Sequence, residues 1–192
     1  MNPEYLKRGI YYVKNPNSVA SDYQYVEEDI ARPQTIDAIF SMGGVTIAGG
    51  HPEKLYVEFL SQMPAYMGRD FDSLNSDAFH LIATEADIAP TLDLLQEQGA
   101  QFVKTYLLFS EEFERRRDDE AFYGAKGLSP ALHLALTQAA QARGLRVSAH
   151  VETAADFAAA VASGVDEINH LPGYFVRDVA TTEEAEAKYL IP

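Results

Sequence analysis

His150 and His170 are the residues of this chain whose type and spacing most invite chemistry. Each stands near the end of a short apolar run, 145–151 and 165–171, and an Ala-rich stretch lies between them. Thr153 followed three residues later by Asp156 is a capping-box pattern, which opens a helix there. Gly164 falls where a left-handed residue ends such a helix. Strand, helix and strand in that order make a βαβ unit. Its two parallel strands end on the same side of the sheet, where α/β folds and barrels build their sites. Two neutral imidazoles brought side by side at such ends suit a divalent metal such as zinc. The competing reading is of two unrelated histidines, one in a core and one in a loop, and the pair alone leaves both open.

The elements that must position this pair read as strands alternating with helices. Residues 9–13 are β-branched and aromatic and end at an Asn-Pro-Asn turn, the pattern of a buried strand. Residues 22–32 have the look of a short polar helix closed by Pro33, and 36–40 of a further strand. The segment 41–52 carries paired glycines twice, so it is expected to be a loop that turns sharply or approaches something closely. It lacks the lysine of a P-loop and the glycine spacing of a dinucleotide fingerprint. His51 in this loop could reach a site; a lone loop histidine otherwise faces solvent. Helical spacing follows over 52–63, then an irregular stretch to 76, then a short strand over 79–83 in which His80 is expected to be structural. Thr84 opens a helix that Gly99 stops.

The next apolar run, 101–109, contains one charge, Lys104. A lysine inside a buried strand is costly unless it is paired or neutralised. It can snorkel outward between helices, or it can point into the mouth of a barrel as a charge partner or modified metal ligand. Residues 110–126 are densely charged, with acids on both sides of the Arg115–Arg117 triplet, and are expected to form a solvated, internally ion-paired segment. Ser129-Pro130 then gives an N-cap and N1 proline, starting a helix that Gly144 closes, with His133 expected on its exposed face. A last helix start, at Thr181–Glu183, has no strand after it. The alternation throughout indicates an α/β parallel architecture.

The chain has 192 residues, 47% of them hydrophobic, which is enough for a sizeable core in one domain. Its net charge of −14 opposes nucleic acid and anionic membrane as partners. There is no cysteine, which removes disulfides, thiolate catalysis and thiolate metal ligands. No apolar run approaches a membrane span, and the first residues do not have the form of a signal peptide. The expected partner is a small molecule. A cytoplasmic location is favoured, with a periplasmic or secreted one open if an upstream signal has been lost.

Lys104 in the "FVKTYLL" strand, His150 in "VSAHVE", His170 in "DEINHLPG" and the "GGHP" loop together resemble the metal-dependent amidohydrolase superfamily, its imidazolonepropionase-like and Xaa-Pro-dipeptidase-like members above all. The resemblance spans residues 9–192. It implies a (β/α)₈ TIM-type barrel with its metal site at the C-terminal mouth. It also implies that His150 and His170 are the metal ligands of strands five and six, and that Lys104 holds the strand-four position, which in binuclear members is a carboxylated lysine bridging two ions. The implied cofactor is one or two divalent ions, zinc first. The implied reaction is hydrolysis of C–N or related bonds by a metal-activated hydroxide, with Lys104 in the catalytic group. Two family features are missing: the strand-one pair of histidines separated by one residue, and the strand-eight aspartate. The chain is therefore expected to be a partial barrel, strands two to six, in a single incomplete domain whose site is not complete by itself. The alternative is a non-catalytic barrel remnant serving as a binding or assembly module. Its open edges would then be covered by a second copy or by the rest of a parent chain.

Overall fold

Period-two alternation in the central strands dictates how the molecule is layered. In the computed structural model, which describes residues 4–30 and 33–170, β1 is Tyr12–Asn15, β2 Asp37–Phe40, β3 Gly44–Thr46, β4 Phe79–Leu81, β5 Phe102–Leu107, β6 Arg146–Val151 and β7 Glu167–Ile168. All strand pairings among the described residues are parallel. On β5 and β6, Val103, Leu107, Val147, Ala149 and Val151 point to one face and pack against the helices. Phe102, Lys104, Tyr106, Ser148 and His150 take the alternate positions and share the other face. Both faces of these two strands are buried, as expected of a parallel sheet covered on each side.

The helices form where their termini are capped. Ser129 accepts from the Leu132 amide at 3.1 Å, and Pro130 stands at N1 of the helix Pro130–Ala142. Thr153 and Asp156 form a reciprocal capping box on the helix Ala154–Ala162. In the helix Ile88–Glu97, Ile88, Leu92 and Leu95 are buried in the main core with Leu132, Leu136, Val103 and Val147. Burial of one such aliphatic side chain contributes roughly 1.5–3 kcal/mol, so this helix–sheet layer carries most of the cohesion.

The strand order is β4-β3-β5-β6-β7, with β1 paired to β2 as a separate ribbon. Residues 41–43 join β2 to β3, and Met42 there takes a positive φ of 57°. The Gln101 amide reaches Phe40 O at 2.9 Å, so β5 borders β2 as well as β3. The β1–β2 ribbon is thereby joined to the five-stranded sheet, in which β3 lies between β4 and β5. Two expectations are corrected by this. The glycine-rich 41–52 segment is not all loop, because Gly44–Thr46 forms a fully buried central strand. The 79–81 strand does not follow in barrel order but lies at the opposite edge of β3 from β5. The first strand also starts at Tyr12 instead of residue 9, and the 52–63 helix is realised as a π-helical turn, Leu55–Phe59, running into a 3₁₀ turn. No helix among the described residues is long and apolar enough to cross a membrane. The helix expected after residue 174 lies outside the described residues.

Candidate functional site

Register decides which side chains meet. In the β5–β6 ladder Lys104 faces Ser148 and Tyr106 faces His150, and in the β6–β7 ladder Ser148 faces Glu167. The inward face is therefore stacked in two polar layers. Lys104, Ser148 and Glu167 form the lower one; Tyr106, His150 and Asn169 form the upper one, at the C-terminal ends of the strands. His170 follows in the bend after β7, and its ring centroid lies 4.3 Å from that of His150 in an edge-on arrangement. The two histidines singled out by spacing are thus neighbours.

Lys104 is buried at 3% exposure, so it points inward and does not snorkel. Its Nζ donates to Asn169 Oδ1 and lies 5.2 Å over the Tyr106 ring. Burial lowers its pKa to about 7; the nearby Lys14 lowers it further, while Glu167 opposes the shift. Lys14, from β1, reaches across to Glu167 at 2.6 Å and also covers the Phe102 ring, which ties the separate ribbon to the lower layer. Ser148 donates to Glu167 at 3.0 Å or to Asn169 at 2.9 Å.

The GGHP loop brings His51 to the same place, its ring stacked on His150 at 5.2 Å and edge-on to Tyr106 at 5.1 Å. The His51–Pro52 peptide is cis. Burial, reinforced by His150, pushes the His51 pKa down to about 4, so it is neutral at pH 7. His170 is lowered as well, by burial first and then by His150 and Lys104. The paired glycines exist for close approach. A Cβ on Gly44 would collide with the Tyr106 ring and lie 2.7 Å from Asn17 Oδ1, and one on Gly50 would lie 2.5 Å from Thr46 Oγ1.

Tyr106, Glu152 and Asn17 join the cluster without having been foreseen. Tyr106 donates its hydroxyl to Asn17 Oδ1 at 3.0 Å, and that oxygen also takes the Gly44 amide at 2.7 Å. Inward parity from Lys104 would have found Tyr106; nothing local marks Asn17, which is 89 residues away. Glu152 Oε1 pairs with His150 Nε2 at 2.8 Å, and that bond holds the Glu152 carboxyl below the usual range. His133 contradicts expectation: it is fully buried on its helix. Its Nε2 meets Thr105 Oγ1 at 2.9 Å and its Nδ1 meets Ser163 Oγ at 3.0 Å. His80 is buried, in keeping with a structural role.

Among the described residues, no three His, Asp or Glu side chains converge into a complete metal-holding group. Two imidazoles in edge contact, with the Lys104 amine in the layer beneath, are residue types that could serve as part of such a group. Beside the His51 loop a cavity of about 560 Å³ is lined by Glu53, Arg117, Asp118, Glu120, Tyr123 and Lys126. A larger cleft of about 870 Å³, bordered by Ile47, Ile82, Phe113 and Leu132, includes none of the five histidines.

Sequence comparison matches the chain to no protein-family model and to no curated protein. Its fold does match solved structures. A crystallised amidohydrolase superposes over 85% of this chain with a TM-score of 0.57 at 20% identity. The ochratoxinase of A. niger does so over 86% with 0.58 at 16%, and a Xaa-Pro dipeptidase with methionine bound in its active site over 84% with 0.53 at 15%. The chain spans 37–38% of the length of these three. It therefore has the α/β fold of part of an amidohydrolase-like barrel.

Proposed function

We propose that this chain is the site-bearing portion of a metal-dependent hydrolase acting on amide, cyclic amide or related C–N bonds. The observation that carries the reading is the edge contact of His150 and His170 at the outlets of adjacent parallel strands, with the Lys104 amine in the layer beneath. Two of the superposed proteins, an amidohydrolase and a Xaa-Pro dipeptidase, support hydrolysis of an amide as the reaction class.

His150 and His170 would hold a divalent cation, zinc for its preference for imidazole, with Lys104 as a further ligand. Bound there, the cation would activate water and polarise the scissile carbonyl. The chain's own residues supply the rest. Lys104, with a pKa near 7, is divided between amine and ammonium at neutral pH, so its Nζ can donate electrons or hold a proton. His51 stays neutral and offers a ring nitrogen for hydrogen bonding to a small substrate. The buried Tyr106 ring packs against both His51 and His150, at 5.1 and 5.6 Å between ring centroids, and so fixes where the two imidazoles sit.

The deciding experiment measures metal content and amide hydrolysis in the intact protein and in its His150→Ala and His170→Ala variants. Loss of bound metal in both is expected. Unchanged metal stoichiometry in both would sink the assignment. A second reading, a non-catalytic assembly module, is favoured by the exposed Tyr11 and Tyr12 on the outer ribbon and by Phe59 and Met67 on the 55–67 segment. Sedimentation of the 192-residue chain separates the two, because a monomer that binds zinc speaks for the hydrolase.

A further inference from the structure

Glu152 stands two residues beyond His150, with its carboxylate oxygen 2.8 Å from Nε2. A carboxylate accepts and cannot donate, so the proton of this bond must sit on the ring, and Nδ1 keeps the lone pair. The carboxylate's position is fixed from behind: the Glu152 amide donates to Asp156 Oδ2 at 3.1 Å, and the neighbouring Thr153 amide to the same oxygen at 3.0 Å. Asp156 is completely buried and also takes the Phe109 amide at 2.9 Å and the Ser110 amide at 2.7 Å. The start of the helix Ala154–Ala162 therefore sets the reach of the carboxylate that faces His150.

We infer that Glu152 is a positioning residue, which holds His150 as its Nε2–H tautomer and thereby presents Nδ1 as the electron-pair donor of the site. This deepens the hydrolase reading and rests on it for its purpose, but the tautomer stands independently of any metal. Carboxylates that take the second ring proton of a ligating imidazole orient the ring and raise its basicity, and their removal typically lowers metal affinity about 10- to 100-fold.

The test is nitrogen-15 NMR of the histidine rings in the 192-residue chain, in Glu152→Ala and in Glu152→Gln, followed by zinc titration of each. In the wild type a hydrogen-bonded Nε2–H resonance of His150 is expected, with Nδ1 at the shift of an unprotonated nitrogen. Glu152→Ala should lose that protected proton, and its zinc affinity should fall about 10- to 100-fold. Glu152→Gln keeps an acceptor oxygen and should retain the tautomer. An Nδ1–H tautomer in the wild type, or an unchanged His150 spectrum in Glu152→Ala, overturns the inference. Metal content that survives both His150→Ala and His170→Ala in the intact protein overturns the hydrolase reading while the tautomer assignment stands.

Discussion

His133 shows what a single side chain costs and contributes in this chain. Ser163 Oγ donates to Ala159 O at 2.8 Å, so it must accept from His133 Nδ1, which leaves Nε2 to accept from Thr105. A neutral ring thus satisfies two buried hydroxyls, and burial pushes its pKa down to about 4. The unfolded chain takes up this proton near pH 6.5, well before the folded one does. The stability due to the neutral ring is complete above about pH 6.5 and is lost as pH falls from there toward 4, by about 3 kcal/mol. Denaturant midpoints measured between pH 7.5 and 4.5 should fall accordingly, and His133→Leu should reduce that slope, leaving the share of the other buried histidines, while costing about 1–3 kcal/mol at pH 7 through the orphaned Thr105 hydroxyl. Sequence reading placed His133 on a solvent face because helical spacing cannot reveal partners that lie 28 and 30 residues away. That His150 and His170 are neighbours was legible because βαβ geometry is local and strict, whereas for Lys104 the sequence left an outward and an inward course open, and the structure buries it. It named His51 as a candidate but not its stacking on His150, which a turn in the 47–52 loop creates.

Elements in this molecule are joined by a few buried polar clamps. Asp156 accepts amides from two successive strand outlets, 109–110 and 152–153, with no cation among the partners described for it. Asp156→Ala should therefore destabilise by about 3 kcal/mol or more, read as a lowered urea midpoint, while Asp156→Asn, which keeps one acceptor oxygen, should cost less. Gly44 is the corresponding steric point on β3. An alanine there would press on the Tyr106 ring and Asn17, costing about 1–3 kcal/mol in thermal melts and disturbing the ring against which His51 and His150 pack. The βα alternation was legible because caps and apolar periodicity declare themselves within a few residues. The position of β4 was not, since nothing in residues 79–81 specifies which edge of β3 they join.

At the scale of the molecule, a net charge of −14 opposes compaction. The melting temperature should rise as sodium chloride is raised from 10 to about 150 mM, where the screening length falls to about 8 Å; a flat or falling response would show that local ion pairs outweigh the overall repulsion. Fold class was readable from the alternation of elements. The limits of the barrel were readable only as missing motifs, and the comparison structures agree that this chain spans little more than a third of their length. The Asp156 clamp has one further consequence. The 111–126 segment leaves the sheet at Ser110, which that carboxylate holds. It returns at Gly127 and Leu128, where the Leu128 amide bonds Tyr106 O at 2.9 Å and Gly127 has no room for a side chain. Both ends are anchored to the frame that carries Lys104 and His150, and from within the span Lys126 O takes the His51 amide at 2.9 Å while the Gly124 amide bonds Gly49 O at 2.8 Å. Exchanging the span should therefore alter the adjoining cavity and the seat of His51 together, and leave the spacing of the polar layers as it is.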